Sequence, residues 1–144
     1  MQFNLILNCK TIDYLCLLSN IGKSYILDCR ILKFGSIKGV AISTYLKLKE
    51  NEKIIDIFKY TEKSKVILAS KEGFVFSINS IDLYSNQKSG KKIFNIKKND
   101  YFKTSCLVDK KKDSFIGLFL IKDQDIKLLI FKINEIPTLK KGLG

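Results

Sequence analysis

One feature constrains this chain above all others: short apolar segments and polar turns recur in the same order at a spacing near fifty residues. Leu17-Leu18, a turn ending at Gly22, Ser24–Leu27 and Ile31-Leu32 correspond to Ile67-Leu68, Gly73, Phe74–Ile78 and Ile81-Asp82-Leu83. A third copy runs Phe119-Leu120, Leu128–Ile133 and Ile136-Pro137-Thr138-Leu139, so that Ile31, Ile81 and Ile136 stand 50 and 55 residues apart. The apolar segments are Leu15–Leu18, Tyr25–Leu27, Ile54–Phe58, Val66–Ala69, Phe74–Ile78, Ile93–Ile96, Phe115–Ile121 and Ile126–Ile133. They are rich in β-branched and aromatic residues, and several alternate; Phe74, Phe76 and Ile78 would share one face of a strand. No stretch holds a helical period long enough for a stable helix. The chain is predicted to be all-β, and the period suits one four-stranded blade of a propeller-like array. Residues 1–144 read as a single partial domain, with units at about 14–60, 64–108 and 114–144 and the last blade incomplete.

A glycine and lysine loop follows each unit's second apolar pair: Gly35-Ser-Ile-Lys38-Gly39, Lys88-Ser-Gly90-Lys91-Lys92 and Lys140-Lys141-Gly142-Leu-Gly144. In the first two units an apolar strand is expected next, Val40–Ile42 or Ile93–Ile96, leading to a polar turn at Lys49-Glu-Asn51 or Lys97-Lys-Asn99-Asp100. The third unit stops at its loop. An unclosed array leaves edges exposed, so the sequence reads as a fragment, a split-gene product, or a chain whose partner supplies the missing strands.

Charge points to a polyanion. Lysine and arginine number 26 against 14 acids, a formal net charge of +12, and Arg30 is the sole arginine. Lysine-rich usage is also what an A+T-rich genome writes, so placement says more than the total. Nine lysines and two acids, Asp100 and Asp109, lie between Lys88 and Lys112. Glycine lets a backbone approach phosphate with its N–H groups free to donate, and flanking lysines neutralise charge and release counterions. Lys88, Gly90, Lys91 and Lys92 are the strongest candidates, with Lys38, Lys140 and Lys141 as equivalents and Lys97, Lys98 and Lys103 extending the patch. The competing reading makes all of these solvated turn lysines. Lys110-Lys-Lys112 reads as a solvated hairpin loop.

Other chemistry has little to stand on. There is no histidine, which removes the usual general base and the commonest metal ligand. Cys9, Cys16, Cys29 and Cys106 form no Cys-x-x-Cys pair and read as unpaired buried thiols of a reducing compartment. Asp123 and Asp125 are too few for a cation site and read as a polar turn. No phosphate-binding Gly-x-x-x-x-Gly-Lys-Ser/Thr loop occurs. The apolar runs are too short to span a bilayer, and the N-terminus lacks the positive start of a signal peptide. Phe74, Phe76, Phe94, Phe115 and Phe119 could stack on unpaired bases, but their alternation with aliphatics reads as core. No cofactor is expected, and the chain is placed in the cytoplasm.

Three stretches carry a family resemblance: Gly22-Lys-Ser-Tyr25-Ile-Leu-Asp28; Ser70-Lys-Glu-Gly73-Phe-Val-Phe76 continuing to Ser89-Gly90-Lys91; and Ile133-Asn-Glu-Ile136-Pro137-Thr-Leu-Lys140-Lys-Gly142-Leu-Gly144. Together they resemble the C-terminal domain of the A subunit of bacterial type IIA topoisomerases, the topoisomerase IV branch more than DNA gyrase. Pro137, the one proline, lies where the family has one. The resemblance implies a β-pinwheel, a propeller-like disc whose basic rim binds and bends duplex DNA. It also implies partners, namely a chain bearing the cleavage domain and an ATPase subunit, at work on the nucleoid in DNA topology and chromosome segregation. Asn86-Gln87-Lys88-Ser89-Gly90-Lys91 stands where gyrase has an arginine and glycine-rich wrapping box, a departure that favours topoisomerase IV. In the family the catalytic tyrosine follows an arginine in a separate domain. Arg30 precedes Ile31, so no catalytic residue is assigned, although the chain would serve an ATP-dependent enzyme. Two other readings remain open: a propeller-like protein-interaction scaffold, or a non-functional remnant of a split subunit gene.

Overall fold

The computed structural model describes residues 5–33, 35, 38–109, 115–122 and 125–143. Its strands are β1 (Tyr14–Ser19), β2 (Lys23–Asp28), β3 (Ile54–Lys59), β4 (Lys65–Ser70), β5 (Val75–Asn79), β6 (Lys91–Lys92), β7 (Phe94–Asn95), β8 (Phe102–Val108), β9 (Phe115–Lys122), β10 (Asp125–Lys132) and β11 (Gly142–Leu143). The first sheet begins as an antiparallel hairpin of β1 and β2, with Leu15 opposite Leu27 and Leu17 opposite Tyr25, and β3 lies on the far side of β1. The second sheet repeats the plan with β5-β4-β8, where Val66 faces Ile78 and Ile67 faces Cys106. After the second strand of each unit the chain makes a tight helical turn, at Cys29–Ile31, Ser80–Leu83 and Ile133–Glu135. In the first, the Asp28 side chain accepts the Arg30 N–H at 2.9 Å, satisfying an amide the turn leaves bare.

The sheets exchange edges between units. The first sheet has the order β3-β1-β2-β6, so its fourth strand comes from the glycine loop of the second unit, with Lys92 opposite Lys23 and Lys91 opposite Ser24. On the second sheet, the β5 edge is engaged by the third unit. Ser77 N–H donates to the Pro137 carbonyl and Leu139 N–H to the Ser77 carbonyl, both at 2.8 Å. Proline suits this spot because only its carbonyl is needed. The third unit contributes the β9–β10 hairpin and β11, which runs parallel to β7.

Both faces of each central sheet are apolar, because alternate residues point to opposite neighbours. Cys16, Leu18 and Phe58 of the first sheet meet Val66, Leu68, Phe76 and Ile78 of the second. Phe94 seals that seam, fully buried and edge-on to Phe76 at 4.9 Å between ring centres. Burying such a ring contributes ~1.5–3 kcal/mol. Ile67 and Val108, on the other face of the second sheet, join Ile136 and the partly buried Ile116 and Phe131 of the third unit. The outer face of the first sheet, Leu15, Leu17, Tyr25 and Leu27, is covered by Leu46 and its neighbours.

Several expectations need correction. Val40–Ile42 is not a strand; a single helical turn, Ile42–Thr44, stands there, since no described strand offers it an edge as β2 does for β6. Lys91-Lys92 is strand rather than loop. Ile31, Ile81 and Ile136 all lie at the helical turns that follow each unit's second strand, but at different positions in them, last, second and just beyond the end. The first two are exposed whereas Ile136 is buried. Phe76 and Phe94 are core, but Phe74 and Phe115 are exposed. Cys16 and Cys29 are buried thiols, while Cys9 and Cys106 are exposed. Lys110–Lys112, Asp123 and Gly144 lie outside the described residues, as does the side chain of Phe119. Among the described residues no helix is long and apolar enough to cross a membrane.

Candidate nucleic-acid interface

The basic corner of the first sheet is built on a ring and a carboxylate. The 86–92 loop turns where Gly90 N–H donates to the Gln87 carbonyl at 3.0 Å, and Gly90 adopts φ +73°. A Cβ on Gly90 would lie 2.6 Å from the Tyr25 ring, so only glycine lets the loop rest on that ring. Tyr25 is fully buried and donates its hydroxyl to Glu52 Oε1 at 2.7 Å. Burial works to raise the Glu52 carboxyl. The Lys49 amide, the Ser19 and Tyr25 hydroxyls and the Lys23 charge outweigh it and hold that carboxyl below its ordinary value. The Tyr25 hydroxyl is pushed well above its usual range, first by burial and then by the Glu52 partner. Lys23 Nζ donates to the Ser89 carbonyl at 2.7 Å, and Lys47 N–H to the Lys88 carbonyl at 2.8 Å. These contacts pin the loop by its backbone and leave the Lys88 side chain exposed.

The third unit docks the same way one blade on. A Cβ on Gly142 would overlap the Phe76 ring, as one on Gly90 would overlap Tyr25. Gly142 N–H donates to the Ile93 carbonyl at 2.8 Å, which brings Lys140 and Lys141 alongside the second unit's loop. The consequence registers on Lys92. Its ammonium is bonded to the Ile21 carbonyl. Its pKa is lowered, first by burial and then by the charges of Lys141, Lys23 and Lys49, with Glu52 opposing. Lys92 thus feels the positive charges of Lys141, Lys23 and Lys49. Lys23 is itself covered and lies 3.9 Å from Glu52, so an anion arriving here would relieve chiefly the Lys92–Lys141 repulsion.

The proposed contact residues separate in space. Lys91, Lys92 and Lys141 gather at this corner, with the exposed Lys88 and Lys140 on its loops. Lys97 and Lys98 occupy a turn at the second sheet's corner, where Asp100 N–H donates to the Lys97 carbonyl and Lys97 Nζ sits 4.8 Å from the Phe74 ring centre. Lys38 is exposed in the loop before Gly39, on the outer side of the first sheet, with no described contact to either corner. Sequence reasoning missed Lys23 and Lys49. The signals were present: Lys23 follows the turn glycine Gly22, and Lys49 opens a polar turn. The Tyr25–Glu52 pair, 27 residues apart, left no sequence signal.

This arrangement of blades with exchanged edges is a β-pinwheel, the fold of solved C-terminal domains of topoisomerase IV and gyrase A subunits. The structure matches the C-terminal domain of Escherichia coli ParC with a TM-score of 0.77 at 20 % identity, covering 93 % of this chain and 53 % of that one. It matches the C-terminal domain of DNA gyrase A with a TM-score of 0.68 at 23 % identity, covering 94 % and 42 %. In sequence, the chain is similar to a stretch of the A subunits of DNA topoisomerase 4. It is 30 % identical to that of Caulobacter vibrioides over 136 residues, 94 % of this chain. It is 32 % identical to that of Rickettsia prowazekii over 141 residues, 96 % of this chain. It spans only 17 % and 18 % of those relatives' lengths. No protein-family model matches it.

Proposed function

We propose that this chain is a non-catalytic DNA-binding part of a topoisomerase IV-like A subunit, holding duplex DNA by lysine–phosphate contacts. The observation that carries this reading is the gathering of the exposed Lys88, Lys92, Lys140 and Lys141 at a corner whose backbone is locked by Gly90 on Tyr25. Such contacts position a duplex without reading its sequence. Its working partners would be a chain bearing the cleavage domain and an ATPase subunit, in the cytoplasm on the nucleoid. The homology to topoisomerase 4 supports that setting.

The test is anisotropy of a labelled mixed-sequence duplex across a salt series. With about six phosphates neutralised, log affinity should fall against log salt with a slope near −5. Reversing Lys88, Lys91 and Lys141 together to Glu should weaken binding by at least tenfold and flatten the slope by roughly 3, with the melting temperature kept. Unchanged affinity and slope would remove this corner from the interface. Salt-independent capture of a protein partner with no duplex binding would replace the reading with an interaction scaffold.

A further inference from the structure

The two corners are spatial equivalents with opposite chemistry. In the first, Lys23 N–H donates to Ser19 Oγ at 3.3 Å and Asn20 N–H to the Lys53 carbonyl at 2.9 Å. In the second, Phe74 N–H donates to Ser70 Oγ at 3.3 Å and Lys71 N–H to the Tyr101 carbonyl at 2.9 Å. The same backbone positions that present Lys23 and Lys53 in one corner therefore present Phe74 and Tyr101 in the other. Both rings are more than a third exposed, at 37 % and 38 %. Each is flanked by cations: Lys97 Nζ lies 4.8 Å from the Phe74 centre, and Lys71 and Lys103 lie 5.7 and 5.9 Å from that of Tyr101. Asp100 Oδ1 accepts the N–H groups of Glu72 at 3.1 Å and Tyr101 at 2.7 Å, which welds the two turns and holds the rings in place. Glu72 stands 3.8 Å from Lys71 and offsets part of its charge.

We propose that this second corner is a stacking platform for single-stranded DNA, with Phe74 and Tyr101 each receiving an unpaired base and Lys71, Lys97 and Lys103 receiving phosphates. The inference rests on the nucleic-acid reading above and assigns a second form of DNA to a second site. Duplex bases are shielded in their stack and meet phosphate-binding lysines. Unpaired bases expose π-faces, and a ring beside an ammonium offers them stacking together with a phosphate contact. A stacked base gains more than the exposed cation–π contact it displaces, and the freed lysine turns to the backbone.

Two labelled probes on the full chain test this, a dT oligonucleotide and a mixed-sequence duplex. Phe74→Leu and Tyr101→Leu keep apolar bulk at the two positions and remove the ring face. Each should weaken dT binding on the order of tenfold and leave duplex affinity and melting temperature unchanged. The Lys88, Lys91 and Lys141 reversal should show the converse. Duplex binding with no dT binding, or dT binding indifferent to both Leu variants, overturns this proposal and leaves the duplex reading standing. A chain that binds neither probe overturns both.

Discussion

The corners of the first and second sheets start from one turn and end in different states of closure. Gly22 N–H donates to the Ser19 carbonyl at 2.9 Å and Gly73 N–H to the Ser70 carbonyl at 3.2 Å, with φ +76° and +89°. Over the first turn lies the second unit's chain. Ile93 and Phe94 both donate N–H to the Gly22 carbonyl, and a Cβ on Gly22 would collide with the Phe94 carbonyl oxygen. Over the second turn, a Cβ on Gly73 would meet no described atom within 4 Å. One glycine therefore answers two demands, handedness and space, while its equivalent answers handedness alone. A repeat fixes the turn; the neighbouring blade decides what the turn must tolerate.

The largest expected effect separates those two demands. Gly22→Ala should cost about 3 kcal/mol, since left-handed strain adds to a backbone clash that cannot rotate away. Gly73→Ala should cost only about 1–2 kcal/mol, from the backbone alone. Urea denaturation of the two variants reads the difference directly. Equal losses would mean that Phe94 does not close the first corner, and the comparison would fail.

A middle-sized effect lies in the carboxylates beneath the corners, one buried and one half-buried. Glu52 in the first and Asp100 in the second are both held below their ordinary values. For Asp100, too, burial works upward and is outweighed, here by the Ser70 hydroxyl and the amides of Glu72, Tyr101 and Lys71. A depressed carboxyl contributes stability that is present above its unfolded pKa and lost as pH falls through the folded one. For Glu52 that loss belongs below its ordinary value of 4.5. Tyr25→Phe removes one donor to Glu52, so its pKa should rise toward 4.5 and the acid-unfolding midpoint should move to higher pH. At neutral pH the variant should lose about 1–2 kcal/mol, because a buried carboxylate gives up a hydrogen bond. An unmoved acid midpoint would show that the hydroxyl does not hold Glu52.

The sequence revealed the strands more readily than the seams between blades. The short apolar run marks β1, β4, β5, β9 and β10 within a residue or two of their limits, and in β1 and β4 it is continuous because both of their faces are covered. It misjudged Phe74 and Val40–Ile42, where the outcome depends on whether a neighbouring unit supplies an edge or a cover. The candidate site was half legible. Glycine beside lysine located the loops of Lys88–Lys92 and Lys140–Gly142. What periodicity could not show is that Gly90 and Gly142 sit on rings of the preceding sheet, Tyr25 and Phe76, more than sixty residues earlier. Nor could it show that this docking draws Lys23 and Lys49 into the cluster. The partition of lysines between two corners, with Lys97 on one and Lys92 on the other, comes from the exchange of β6 and follows from no local pattern.

The smallest effect sharpens the comparison most finely, because it asks whether two loops share one corner. Lys141 is the foremost of the charges that depress Lys92, so Lys141→Ser should raise the Lys92 pKa toward its ordinary value of 10.5. Relief of the repulsion should stabilise the fold by only about 0.3 kcal/mol, as expected for charges near the surface. Lys103→Ser, at the second corner beside Tyr101, should leave Lys92 untouched. The readout is NMR titration of the lysine side-chain resonances through alkaline pH. A Lys92 ammonium that loses its proton early also gives up its phosphate contact early, so duplex affinity in the wild type should decline at lower pH than in the Lys141 variant. A Lys92 titration indifferent to Lys141 would place the third unit's loop away from the second's. The first corner would then draw its charge from the first two units alone, and its contrast with the aromatic corner would rest on Lys23, Lys49, Lys53 and the 88–92 segment.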